Sequence, residues 1–388
     1  MEMSELLRAM VEADASDLYV MTSCPPLLRV QGVNQPYGDT LLSATDTHTL
    51  AGSLMSEEER ESFRTGKEMN LGLTLDGLGR FRVNVLRQRG STAMVIRQIK
   101  TNIPSLAQLH LPDVLRQVIM AKRGLILVTG ATGSGKSTSL AAMIDHRNEH
   151  TKGHIITIED PIEFLHPNRG CVVTQREVGA DTNSFAAALK NTLRQAPDVI
   201  LIGEIRDAET MEAAITFADT GHLCLGTLHS STADQTLQRL MNFFPAERHG
   251  EIFLQLSMNL QAIISQRLVP GTDGKRVAAL EVLLGTPWVR ELIKKGDVDR
   301  IKEAMERDVQ EGCQTFDLAL LRLYQSGRIS SEEALANADS ANNLRIKMTQ
   351  ADLTSGAAAA TSDAPVVEAT GGLRLSLAEE PGPTARAA

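Results

Sequence analysis

No apolar run in the sequence approaches the roughly 20 residues that a helix needs to cross a bilayer, so an integral membrane segment is not expected. The opening Met1-Glu2-Met3-Ser4-Glu5 carries acid where a secretory leader carries base, which points to a cytoplasmic chain. Cysteine is sparse. Cys24, Cys171, Cys224 and Cys313 lie far apart and form no CxxC pair, so neither a zinc site nor a redox dithiol is readable, and free, partly buried thiols are expected. Positive charge is not in excess either: a formal net charge of -9 argues against wrapping nucleic acid and leaves room only for a local basic groove. No repeat of fixed period occurs. What remains is an ordinary globular composition, 42% hydrophobic and 22% charged, over 388 residues, more than one core usually serves.

The pattern divides accordingly. Residues 1–99 read as a small α+β unit. A helix over Met3–Glu12 leads into extended segments near Asp17–Met21 and Leu27–Val30. A helical stretch follows from about Thr45 to Phe63, with Ser56 and Glu59 set to cap its second half. Met69–Leu75, the Asp76-Gly77 turn and Gly79–Leu86 then read as a hairpin. In its last strand Phe81, Val83 and Val85 alternate with Arg80, Arg82 and Asn84, giving one apolar and one basic face. Residues 100–111, around Pro104 and before Pro112, read as a linker. From 112 to 286 short apolar strands (Leu125–Thr129, His154–Ile158, Val199–Ile202, Leu223–Leu228) alternate with helical stretches, the signature of a mostly parallel sheet with crossover helices. Residues 287–348 read as helical, with Leu318, Leu321 and Leu335 among the apolar positions. From Thr349 to Ala388 the chain is rich in Ala, Thr, Gly and Pro and is expected to stay disordered, with Leu373–Leu377 as a short apolar island.

Four motifs carry chemistry. Gly130-Ala131-Thr132-Gly133-Ser134-Gly135-Lys136-Ser137 matches GxxxxGK[ST] after the strand Leu125–Thr129 and before a helix that begins with Lys136, Ser137 and Thr138. The glycines let backbone N–H groups turn toward an anion, Lys136 can reach the β- and γ-phosphates of ATP, and the Ser137 hydroxyl can ligate Mg²⁺. Second, the apolar strand Val199–Ile202 delivers Gly203-Glu204, with glycine where many P-loop proteins have Asp. Glu204 is then the acid near Mg²⁺, through a metal-bound water, unless it merely caps the helix beyond. Third, Ile158–Glu163 places Glu159, Asp160 and Glu163 at a strand end, where one carboxylate can serve as general base for water; a charged surface turn is the bland reading. Fourth, His222 and His229 bracket another apolar strand, where a histidine can sense a phosphate. Finally, residues 80–100 hold Arg80, Arg82, Arg87, Arg89, Arg97 and Lys100 and no acid. That is a solvated sheet face or, in a ring, a source of arginines for the neighbouring γ-phosphate.

In this order the motifs resemble those of the secretion and type IV pilus ATPases: a Walker A loop, an acidic box at Ile156–Phe164, a Gly-Glu type Walker B at Val199–Asp207 and a histidine box at Gly221–His229. Asn191–Asp198 and Phe243–Pro245 resemble the family too, and the likeness covers about 1–347. Extension and type II secretion members usually add a long N-terminal domain and a tetracysteine zinc module, neither readable here. The resemblance therefore narrows to the compact retraction branch, the PilT/PilU family. Where PilT carries AIRNLIRE this chain reads Trp288–Lys295. That departure, the opening residues and Gly153–Pro167 are more similar to the PilU type.

The resemblance implies a homo-hexamer of RecA-like P-loop domains, each with a PAS-like N-terminal domain, using ATP and Mg²⁺ for pilus retraction. It implies an accessory role beside a PilT-type ATPase, with the chain peripheral at the inner membrane on a pilus platform protein. By motif position Gly130–Thr138 would cradle phosphate, Ser137 and Glu204 would serve Mg²⁺, and Glu163 would activate water. His229 would sense the γ-phosphate, and Arg82 and Arg97 would approach it from the N-terminal domain, with Arg80, Arg87 and Arg89 competing. A pilus assembly ATPase, a ring subunit that scaffolds a partner motor, and a DNA translocase are the alternatives.

Overall fold

The computed structural model describes residues 1–362 apart from Gln31 and Lys100; the basic run's Lys100 and the island Leu373–Leu377 thus lie outside the described residues. Helix α1 (Met3–Glu12) buries Met3, Leu6, Leu7 and Met10 on one stripe, as 3.6-residue periodicity requires. It covers an antiparallel sheet built from β1 (Asp17–Val20), β2 (Leu27–Val30), β3 (Val33–Pro36), β4 (Glu68–Leu75), β5 (Gly79–Gln88) and β6 (Ser91–Ile99) in the order β3-β2-β1-β6-β5-β4. The expected hairpin is β4–β5. Phe81, Val83 and Val85 are fully buried, and Arg80, Arg82 and Asn84 line the other face.

Between β3 and β4 the expected single helical stretch is two helices, α2 (Ala44–Ser53) and α3 (Glu57–Gly66). The break follows from the cap: Ser56 accepts from the Glu59 N–H and Glu59 accepts from the Ser56 N–H, a geometry that needs Ser56 extended, at ψ 169°. Ser43 and Asp46 form the same box on α2. Residues 101–113 carry no regular element, yet Leu106 and Leu111 are buried in the core beneath the second sheet, so this stretch is anchored by packing.

The second sheet comprises β7 (Gly124–Thr129), β8 (Gly153–Glu159), β9 (Cys171–Glu177), β10 (Val199–Ile202), β11 (Leu223–Leu228), β12 (Leu260–Pro270) and β13 (Arg276–Leu284), ordered β13-β12-β7-β11-β10-β8-β9. Every pairing is parallel except β12 with β13. Helices α4 (Val114–Ile119) and α5 (Lys136–His150) follow the N-terminal unit. Then come α6 (Phe185–Thr192), α7 (Ala208–Asp219), α8 (Ala233–Met241) and α9 (His249–Asn259). Alternate residues of β7 enter different cores, Leu125 and Leu127 one, Ile126 and Val128 the other. Both faces are covered, which is why β7, β10 and β11 read as unbroken apolar runs.

Beyond the sheet lie α10 (Pro287–Lys295), α11 (Ile301–Arg307), α12 (Phe316–Gln325), α13 (Ser331–Ala336) and α14 (Ala341–Ser362). Here the structure corrects the sequence reading, for α14 runs past Thr349 to Ser362 where disorder was expected. Met348 is buried in the C-terminal core and Tyr324 donates to Asp352 at 3.0 Å, while the alanines at 357–360 favour helix intrinsically. Among the described residues no helix is long and apolar enough to cross a membrane.

Candidate nucleotide site

Because β7, β8, β10 and β11 are parallel and in register, their carboxyl ends share one edge: Leu228 pairs with Thr129, and Ile202 with both Gly226 and Ile158. The four motifs therefore meet where open α/β sheets bind ligands.

The loop 130–135 turns from β7 into α5. A Cβ on Gly130 (φ 146°) would sit 2.5 Å from the Gln266 carbonyl oxygen, and one on Gly135 (φ 87°) 2.8 Å from Gln266 Nε2, so at these two positions the loop lies close against β12. No side chain caps α5, leaving its first N–H groups and dipole aimed at the loop. Lys136 Nζ donates to the carbonyls of Gly130 (2.7 Å) and Ala131 (3.0 Å). Burial lowers the Lys136 pKa, and the charge of Glu204 acts against that shift. Ser134 Oγ is buried without a protein partner. A cradle of main-chain donors with a half-buried ammonium and a spare hydroxyl suits a polyphosphate.

Gly203 explains the displaced acid. A Cβ there would lie 3.0 Å from the Ile158 oxygen and 3.0 Å from the Glu159 Cα, so the strand end has no room for an aspartate. The carboxylate comes one residue later. Glu204 Oε2 lies 2.7 Å from Arg206, and Oε1 lies 3.3 Å from His229 Nε2. His222 sits at the amino end of β11, bonded to Phe217 and Thr220, so only His229 joins this edge.

In the acidic turn, Glu163 is exposed to the cleft, whereas Glu159 accepts from Thr157 Oγ1 (2.7 Å) and Gln175 Nε2 (3.2 Å). Burial pushes the Glu159 carboxyl up to about 7 against those two bonds, which puts it in the range of a general base or acid. Nearby, burial pushes His166 down to about 4, and its Nδ1 has no partner.

A cleft of about 840 Å³ opens over these groups and is walled on the far side by the N-terminal sheet, through Ser16, Asp17, Arg29 and Arg97. Ser137, Thr138, Glu159, Glu163, Glu204 and His229 all line it. Arg97 Nε donates to buried Asp17 at 2.9 Å. Arg82 faces Arg97 across the β5–β6 register, one strand farther out, and is not among the described residues that line the cleft. Arg87 lies over the Phe63 ring and Arg89 in the exposed β5–β6 turn, so neither competes within the chain. Arg80 pairs with Glu177 at 3.9 Å. Sequence reading missed Arg29, Asp17 and His166, because only cross-strand register and the fold of the turn bring them here.

The family described as Type II/IV secretion system protein matches residues 7–354. The chain belongs to that family. Its relatives include the type IV pilus ATPase PilU of Pseudomonas aeruginosa, 53% identical over 89% of this chain and 91% of PilU. The type IV pilus retraction ATPase PilT of the same organism is 41% identical over 86% of this chain and 97% of PilT. Among solved structures, the pilus retraction motor PilT with bound ADP superposes with a TM-score of 0.83 at 41% identity, covering 89% of this chain and 99% of that one. The Legionella pneumophila ATPase DotB gives 0.73 at 31% identity, covering 86% and 93%. This secretion ATPase accordingly shares the two-sheet α/β fold of those enzymes and groups with PilU and PilT.

Proposed function

We propose that this secretion ATPase is a hexameric Mg-ATP motor for type IV pilus retraction, working beside a PilT-type ATPase on an inner-membrane platform protein. The observation that carries the proposal is the convergence of the P-loop, Glu204–His229 and the acidic turn on one cleft facing Arg97. The extended identity with PilU supports the choice of branch.

In this reading the N–H groups of 130–138 and Lys136 hold the β- and γ-phosphates. Ser137 and Glu204 are the residues that would hold a magnesium ion, which would supply positive charge against the charge developing on the phosphates. The orphaned Ser134 hydroxyl and the close backbone approach at Gly130 and Gly135 fit such a load. Glu163 takes the proton of the attacking water. His229, tethered to Glu204, follows the γ-phosphate, and Arg97 closes on the transition-state charge, with Arg82 engaging only as the N-terminal sheet shifts. Glu159 is the second candidate base, favoured by its raised pKa.

Lys136→Ala should abolish ATP turnover, and unchanged turnover in a clean preparation would overturn the cleft assignment. Glu163→Gln should keep nucleotide bound while slowing turnover by roughly a hundredfold. A larger loss in Glu159→Gln than in Glu163→Gln would transfer the base to Glu159.

A further inference from the structure

Behind the P-loop, where β13 passes β12, lies a carboxylate the mechanism above does not use. Glu281 is 3% exposed. Its Oε1 accepts the Ala233 N–H at 2.6 Å and the Ser265 hydroxyl at 3.3 Å, and Ser265 Oγ accepts the Thr129 hydroxyl at 3.1 Å. Thr129 ends β7 and adjoins Gly130, the entrance of the P-loop. Ala233 opens α8 and is reached from His229 through Ser230, Ser231 and Thr232. The chain of bonds thus joins the phosphate loop, β12, β13 and the segment bearing His229.

Two features separate this link from an ordinary core contact. Thr232 stands at the N-cap of α8 but makes no cap bond, and its Oγ1 is buried without a partner; an anion from β13 does that work instead. A buried carboxylate is also costly where a neutral amide would satisfy one N–H.

We infer that Glu281 is a positioning residue for ATP hydrolysis, holding the entrance of the P-loop and the His229 segment in one fixed relation. The inference rests on the cleft assignment above. Acids face Glu281 from two elements: Asp234 on α8, and Asp339, which itself pairs with Arg267 (2.8 Å) and Lys302 (3.1 Å). Burial first, then those two acids, raises the Glu281 carboxyl to about 7 against the bonds from Ala233 and Ser265. The charged form that draws α8 inward therefore fades as pH falls through neutrality.

The test is ATP turnover of the full chain from about pH 5.5 to 8.5, with ADP affinity by calorimetry, for wild type, Glu281→Gln, Ser265→Ala and the double variant. Glu281→Gln should lower kcat on the order of tenfold above pH 7.5 or so. It should leave KM and ADP affinity within about twofold and weaken the wild-type acid limb near neutrality, to which Glu159 can also contribute. Ser265→Ala, which keeps the carboxylate, should lower kcat in the same direction, and the double variant should be no slower than Glu281→Gln. Unchanged kcat, an unchanged acid limb, ADP affinity lost in step with kcat, or fully additive losses would each overturn the inference. Lys136→Ala in the same assay separates the two readings: if it is inactive while Glu281→Gln behaves as wild type, this link fails and the cleft stands.

Discussion

Gly203 leaves no space for a side chain between β10 and β8, so the carboxylate at this strand end comes one residue later, at Glu204, within reach of both Arg206 and His229, and it is this acid that we propose serves the metal. The same crowding appears at Gly130 and Gly135, whose missing side chains let the P-loop rest on β12. Single residues also set a pH dependence. In the unfolded chain Glu281 titrates near 4.5, and in the fold at about 7. The folded state therefore holds the extra proton between those values. Its contribution to stability is fully present below about pH 4.5 and is lost as pH rises through 7. Melting temperatures of wild type should fall across that window, and Glu281→Gln should fall less steeply. Parallel curves would mean that Glu281 is not buried as described.

At the scale of elements, capping decides where the helices of the N-terminal unit begin. Ser56→Ala removes one half of a reciprocal box and should destabilise that unit by about 1 kcal/mol, read from its urea unfolding midpoint; no change would mean α3 is held by packing of Phe63 alone. The Ser56–Glu59 spacing was legible in the sequence, as were β7, β8, β10 and β11, because two-sided burial writes an uninterrupted apolar run. Strands β9, β12 and β13 were not. Arg176, Gln266, Arg267 and Glu281 interrupt their runs, and of these Arg267 and Glu281 are held by partners distant in sequence, Asn337 and Ala233. β3 is exposed along its whole length and carries no apolar signal. The motif residues of the site were readable because their chemistry is local: a loop, a strand end, a turn. Arg29 and Asp17 were not, since the register that sets them beside Arg97 belongs to the sheet.

Taken whole, the molecule places two sheets on either side of one cleft, and an ion pair from β5 to the end of β9 links them beside it. Arg80 on β5 reaches Glu177 at the end of β9, and Glu177 also accepts the Ile162 N–H at 3.3 Å, so Glu177 links the N-terminal sheet to the turn that bears Glu163. Such a connection suits a motor, in which hydrolysis and domain movement must be coupled. The most direct test of that account replaces Glu204 by Ala at the native locus and counts surface pili while scoring twitching. Retraction driven by hydrolysis here predicts surplus pili with impaired motility. Few or no pili would contradict retraction in favour of assembly, and normal pili with normal motility would reduce the chain to a supporting ring subunit.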